Sequence, residues 1–283
     1  MSSFAAATPR AGRRRFDAGW PVAALALAAA LVLGLPVVAL VGRALLDGSL
    51  MGAAATPAVL DALVLSLATT TLSLALMVLL GTPLALLLAR RRFRGSWLLE
   101  TVIDLPIVLP PSVAGLALLL LLGRNGLLGP SLTMLGIELP FTTAAVVVAQ
   151  CFVAAPFYVR SARTGFASVD RDLEDAARVD GAGEWALFLR VTVPLASSAL
   201  AAGLVMSWAR ALGEFGATIM FAGNIEGRTQ TLPLVVYSEF QAAGLDTSVA
   251  AAAILVFAAF GVLIAVRLLH WGRVLDIRSS TLG

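Results

Sequence analysis

Long apolar runs separated by short polar segments recur along the whole chain. They lie near 20–42, 60–89, 102–122, 141–159, 194–221 and 248–270, and each is long enough for a helix to cross a hydrocarbon core of about 30 Å. The pattern predicts an all-α polytopic membrane protein with six transmembrane helices. The first run, from Trp20 to Gly42, follows an arginine triplet as a secretory signal would, yet it exceeds the roughly 7–15 apolar residues of such a signal. It reads as a retained anchor. The expected organisation is an N-terminal arm over 1–19, an anchor over 20–42, a core of five helices over 58–272 with a polar loop at 160–194, and a tail over 273–283.

Breaks within the runs refine this picture. Pro106, Pro110 and Pro111 crowd the first turns of the third run, where missing amide donors cost least, and predict a shaped start or a bend. Arg210, Gly213, Glu214 and Gly216 interrupt the fifth run. A helix to about Gly213 is expected there, followed by a bend or unwound stretch, which membrane depth tolerates only inside protein or beside a water-filled cavity. Thr231 to Phe240 is too short to cross and is expected on the outer surface. Ser66, Thr69, Thr70, Thr71 and Ser73 cluster in the second run. Such hydroxyls pair across helices or bond their own carbonyls, for about 0.6 kcal/mol each on average.

Composition agrees with the pattern: 59% of residues are hydrophobic and 13% charged, with a mean hydropathy of +0.94. All basic residues are arginine, which makes their placement easy to follow. Arg10, Arg13, Arg14, Arg15, the group from Arg90 to Arg94, Arg160, Arg163, Arg171, Arg178, Arg190, Arg267, Arg273 and Arg278 share one side of the six-helix scheme, against Arg43, Arg124 and Arg228 on the other. The positive-inside rule puts both termini in the cytoplasm. Trp20, Trp97 and Trp271 fall at predicted boundaries, as interfacial tryptophans do. Asp61, Glu100, Asp104, Glu138 and Glu226 sit at span ends or in loops and read as interface residues. A lone Cys151 and a lone His270 exclude a disulfide framework and a histidine metal cluster. No cofactor is expected on this chain.

One charged segment stands apart from the apolar background: DLEDAARVDGAGEWALFLRVTVPL, Asp172 to Leu195. Asp170 can cap a helix whose positive end carries Asp172, Glu174 and Asp175 and whose negative end carries Arg178. Gly181 and Gly183 allow a sharp turn, and a second short helix is expected from Glu184 to just before Pro194. Such a unit has too little apolar area to fold alone, so it should dock on a partner.

The spacing Asp175-Ala176-Ala177, three residues, Gly181, nine residues, Val191-x-Val193-Pro194 resembles the EAA loop of permease subunits of binding-protein-dependent ABC importers, with aspartate in place of the usual glutamate. The resemblance implies a type I importer permease fold and assigns ATPase coupling to Leu173, Asp175, Ala176, Ala177, Gly181, Ala182 and Pro194. It also implies a bacterial cytoplasmic membrane, an ABC ATPase subunit that binds ATP and Mg, an extracytoplasmic binding protein and a permease homodimer. A P-loop needs a lysine for the terminal phosphates, and this chain has none. The expected role is therefore transport, with ATP hydrolysed on another chain.

The stretch WARALGEFGATIMFAGNIEGRTQTLPLVVY, Trp208 to Tyr237, together with DLPIVLPPSVAG and RRRFRGSWLLE, is similar to molybdate permeases. Sulfate permeases tend to show G-E-Y-G-S where this chain has Gly213-Glu214-Phe215-Gly216-Ala217. The resemblance implies import of molybdate or tungstate by alternating access, with a sulfate or thiosulfate importer as the second reading and an ion-coupled secondary transporter as a reading of another class. Arg210 and Glu214 stand at i and i+4 inside a membrane segment, where ionisable groups are functional candidates by default. Two roles stay open for them: a gate or transient anion contact, or a structural pair in which each neutralises the other. Ser207 and Thr218 are cavity-lining candidates one turn to either side.

Overall fold

The computed structural model describes residues 19–54, 56–91 and 93–280. The arm over 1–18, Arg92 and residues 281–283 lie outside the described residues, as do the side chains of Arg267, His270, Trp271, Arg273 and Arg278. The described residues form helices and no strand: α1 Trp20–Leu46, α2 Ser49–Ala54, α3 Pro57–Arg90, α4 Ser96–Val108, α5 Pro111–Leu122, α6 Gly129–Met134, α7 Thr143–Ala167, α8 Arg171–Val179, α9 Glu184–Leu187, α10 Val193–Leu212, α11 Gly216–Phe221, α12 Leu232–Gln241 and α13 Leu245–Ser280. Five segments are long and apolar enough to cross a bilayer, or six if a bent pair of helices counts as one span.

That bent pair is α4 and α5, which meet at 119°. Consecutive prolines cause it. A proline pushes the residue before it out of the helical region, so Leu109 and Pro110 are both extended, with ψ of 135° and 136°. Pro111 then starts α5 at a position where its missing amide costs nothing. The third run is thus a broken element rather than one straight crossing.

Helix α7 is the centre of the bundle, with α3 and α10 against it. Close approach comes from small residues: a Cβ on Gly81 would stand 3.0 Å from the Tyr158 ring, and one on Gly203 would stand 2.9 Å from the Ser161 Cβ. The hydroxyl cluster of α3 divides its work. Ser73 donates to Gln150 Oε1 at 2.9 Å, and Gln150 Nε2 donates to Thr70 at 3.3 Å, which joins α3 to α7 inside the bundle. Thr69 and Thr71 bond their own helix, at the carbonyls of Leu65 and Leu67.

Ser66 accepts the Leu232 amide at 2.8 Å, and this bond corrects the expectation for Thr231 to Phe240. The first half of the segment does not lie on the outer surface, although Phe240 at its end is exposed. The segment forms α12, whose Leu232 and Val235 pack with Val59 and Ala62 of α3 and Ala251 of α13. Its first turn reaches Ser66, nine residues or about 13 Å along α3. A short helix can sit at that depth because the α3 hydroxyl satisfies an amide that lipid would leave unpaired.

The two broken runs meet. A Cβ on Gly115 of α5 would stand 2.6 Å from the Ala217 carbonyl oxygen of α11, and one on Gly216 would stand 2.6 Å from Pro111. Ala114, Leu118, Ala217 and Phe221 fill the core at that contact. Gly115→Val is expected to destabilise the protein by about 1–3 kcal/mol through overpacking. Gly34→Val, at a position with nothing within 4 Å, should leave the detergent unfolding midpoint unchanged. Equal midpoints for the two variants would contradict the close α5–α11 packing.

Candidate coupling segment and buried ion pair

Helix α8 starts where Asp170 accepts the Asp172 amide at 3.0 Å. It ends in a motif that accounts for the alanine and glycine spacing. The Ala182 amide reaches back to the Ala177 carbonyl and the Gly181 amide to the Arg178 carbonyl, both at 3.0 Å, which is the Schellman closure of a helix. Gly181 holds φ of +90°, a left-handed value that costs glycine nothing and strains a side chain. No heavy atom crowds it within 4 Å, so the constraint is the backbone angle alone. Arg178 then ties the turn together, with contacts of 2.7 Å to Asp175 and 2.9 Å to Glu184. The Glu184 hydrogen bond, with Asp175 behind it, raises the guanidinium above its ordinary value.

The two faces of α8 differ. Leu173, Asp175, Ala176 and Val179 are exposed, and Trp185 and Leu189 extend the apolar surface into the next helix. Glu174 points the other way and is 6% exposed. Its Oε1 accepts Arg90 Nη2 at 2.5 Å and the Thr192 hydroxyl at 2.6 Å. Arg90 is the last residue of α3, and Thr192 sits in a π-helical turn, Phe188–Thr192, that leads into α10.

The second short helix therefore does not stop before Pro194. Glu184–Leu212 runs as one helical span. A proline there would clash with the carbonyl four residues back in a regular helix; the π turn widens the register, so that Val193 bonds Phe188 five residues back. Pro194 is exposed in the first turn of α10 and makes the π turn necessary.

Of the candidates in the fifth run, Arg210 stands 2.6 Å from Glu214 through Nη1 and Oε2, close in charge but off the line of a hydrogen bond. Glu214 is 1% exposed, and its other oxygen accepts the Ala217 amide at 2.8 Å. The acid thus caps α11 across the break and neutralises Arg210, while the guanidinium stays partly accessible. Ser207 and Thr218 are not partly exposed as Arg210 is. Both are fully buried; Ser207 donates to the Ala154 carbonyl at 3.1 Å and joins α10 to α7, and the Thr218 hydroxyl has no partner among the described residues.

At the same end as α8, Glu100 pairs with Arg163 at 2.9 Å and Asp104 lies 3.6 Å from Arg160, so these acids bind α4 to α7. A cavity of about 500 Å³ opens between them. Arg43 and Arg228 lie at the opposite end, where Arg43 faces Asp47 and Asp246 and the Arg228 carbonyl accepts from Thr143.

Sequence reasoning missed the joint of Arg90, Glu174 and Thr192. Its only signal was that Glu174 stands about 160° round the helix from Ala176 and about 140° from Val179, at roughly 100° per residue. Breaking the Arg210 contact by Glu214→Leu is expected to cost about 3 kcal/mol, the low end for a buried pair because Arg210 keeps part of its solvation. Thermal unfolding in detergent should show the Arg210→Met/Glu214→Leu double variant more stable than Glu214→Leu; a double variant that is less stable would mean the two act independently.

A protein-family profile described as the inner membrane component of binding-protein-dependent transport systems matches residues 81–271. The molybdenum transport system permease protein ModB of Mycobacterium tuberculosis is 45% identical over 72% of this chain and 77% of its own. The sulfate transport system permease protein CysW of Synechococcus elongatus is 42% identical over 64% of each chain. In structure, a chain of a bacterial ABC transporter involved in the import of the acidic polysaccharide alginate superposes with a TM-score of 0.72 at 18% identity, covering 88% of this chain and 94% of that one. The shared fold is that of an ABC importer permease. This chain belongs to the family of inner-membrane components of binding-protein-dependent transport systems.

Proposed function

We propose that the chain is the membrane-spanning subunit of an ATP-driven importer for molybdate or tungstate, working by alternating access as a homodimer. The observation that carries the substrate is the 45% identity to a molybdenum transport permease over most of both chains. The Gly213-Glu214-Phe215-Gly216-Ala217 stretch favours the same class. A sulfate importer is the second reading, supported by the 42% identity to a sulfate permease.

In this reading α8 docks on a separate ATPase subunit, which binds ATP and Mg. The exposed face of Leu173, Ala176 and Val179 supplies apolar contact, and the Schellman turn at Ala177, Gly181 and Ala182 sets the direction in which the chain leaves. Asp175 holds Arg178 and so keeps the turn closed. A binding protein delivers the anion at the opposite end, on the loops 43–57, 123–140 and 222–247. The last of these excludes the first turns of α12, which are packed against α3 and α13. The 123–140 loop borders a cavity of about 550 Å³ with Arg124, Asn125 and Glu138 in its wall.

Arg210 is the gate residue of this account, since it alone among the four candidates keeps an accessible polar group. Glu214 holds it in place. The break at Gly213 to Phe215 lies directly beside Arg210, between α10 and α11.

Cells lacking the chain are expected to lose uptake of radiolabelled molybdate, and uptake in complete cells should be competed by tungstate and not by excess sulfate. Retained molybdate uptake with loss of sulfate uptake would transfer the assignment to the sulfate class. Gly181→Val forces a β-branched residue into the left-handed region, a strain of roughly 1–3 kcal/mol, and is expected to lower uptake about tenfold or more. Gly183→Ala, at an ordinary φ of −68°, should change it less than about twofold. Normal uptake by Gly181→Val would remove the turn from the coupling path.

A further inference from the structure

We propose that Glu174, and not the exposed Asp175 of the motif, is the positioning residue that carries movement of α8 into the membrane helices, with Arg90 and Thr192 as its two points of attachment. This rests on the reading of α8 as the segment that docks on an ATPase.

The connections of α8 are few. Its apolar residues Leu173 and Val179 face outward, 51% and 88% exposed, so they cannot grip the bundle. Among the described residues Asp175 pairs within its own loop, with Arg178 three residues on. The turn at Gly181 closes on α8 itself. Glu174 is different: one oxygen atom gathers the end of α3, 84 residues away in sequence, and the π turn at the head of α10, 18 residues away. Those two helices flank the central α7, so a displacement of Glu174 acts on both walls together.

Chemistry makes the joint stiff. A carboxylate with 8% of its side chain exposed has no solvent to replace a lost partner, and breaking such a contact leaves a buried charge unmatched. The Arg90 guanidinium also stands at the negative end of α3, where a cation is favoured. Thr192 belongs to a π turn, a local register shift in the helix. The joint therefore links a rigid helix end on one side to an adjustable turn on the other. Slippage of α8 along either would have to separate Glu174 from a partner before any wall moved.

The test uses the full complex of this chain with its ATPase and binding protein in liposomes. Glu174→Gln keeps the shape of the side chain and an acceptor oxygen while removing its charge, and Thr192→Val removes only the hydroxyl. Three quantities are read: ATPase retained on purification, ATP hydrolysed, and molybdate imported per ATP. Both variants should retain the ATPase and hydrolyse ATP, with molybdate imported per ATP reduced about tenfold. Thr192→Ser should restore that ratio towards the unaltered value. An unchanged ratio in both variants overturns the proposal, as does loss of the ATPase on purification, which would make Glu174 a support for the docking surface only. An unaltered chain that retains no ATPase would instead sink the docking reading, before any variant is compared.

Discussion

A charge placed inside an apolar bundle must be matched where it stands, because neither lipid nor packed side chains can solvate it. Among the described residues two carboxylates are buried under this constraint, Glu174 and Glu214, and both sit at breaks in helical order. Glu174 joins α3, α8 and the π turn before α10. Glu214 bridges the gap between α10 and α11 by taking Arg210 on one oxygen and an α11 amide on the other. Since both acids belong to the α8–α11 stretch of chain, the proposed coupling loop and the proposed gate stand at the two ends of one helix, α10. A push on the π turn has a direct path to Arg210.

Neutral parts of the bundle serve that path by staying rigid. Gln150, Ser73 and Thr70 lock α3 to α7, Ser207 locks α10 to α7, and glycines at 81, 165 and 203 let the helices close up without gaps. Helical order is interrupted at the π turn, the Pro110 bend and the Gly213 break. The last two lie against each other, so α5 and α11 share one packed contact and any shift of one is felt by the other. Such discrete breaks between well-packed segments are what rocking between two states requires.

Local chemistry made much of this legible in the sequence. Apolar runs announce spans because the bilayer demands about 20 residues of them, and Gly181 announces a left-handed turn because few other residues tolerate one. Pro110 and Pro111 foretold a bend, although its angle depends on what α4 and α5 pack against. Where the answer depended on distant partners, the sequence was silent. Thr231 to Phe240 reads as a surface segment until Ser66 is seen to satisfy the Leu232 amide from 166 residues away. Pro194 reads as a helix stop until the π turn before it is known. Ser207 and Thr218 read as pore hydroxyls because polarity alone does not say which side of a helix faces the core. Glu174 looked like one acid among six, and only its burial beside Arg90 sets it apart.

The central claim is that Arg90 and Glu174 act as one joint, and a double-mutant cycle addresses it most directly. Arg90→Gln, Glu174→Gln and the double variant would be compared by molybdate imported per ATP in the reconstituted complex. The account predicts that the double variant is no worse than either single one, because the first change already breaks the joint. Losses that multiply in the double variant would show two independent residues and contradict the account.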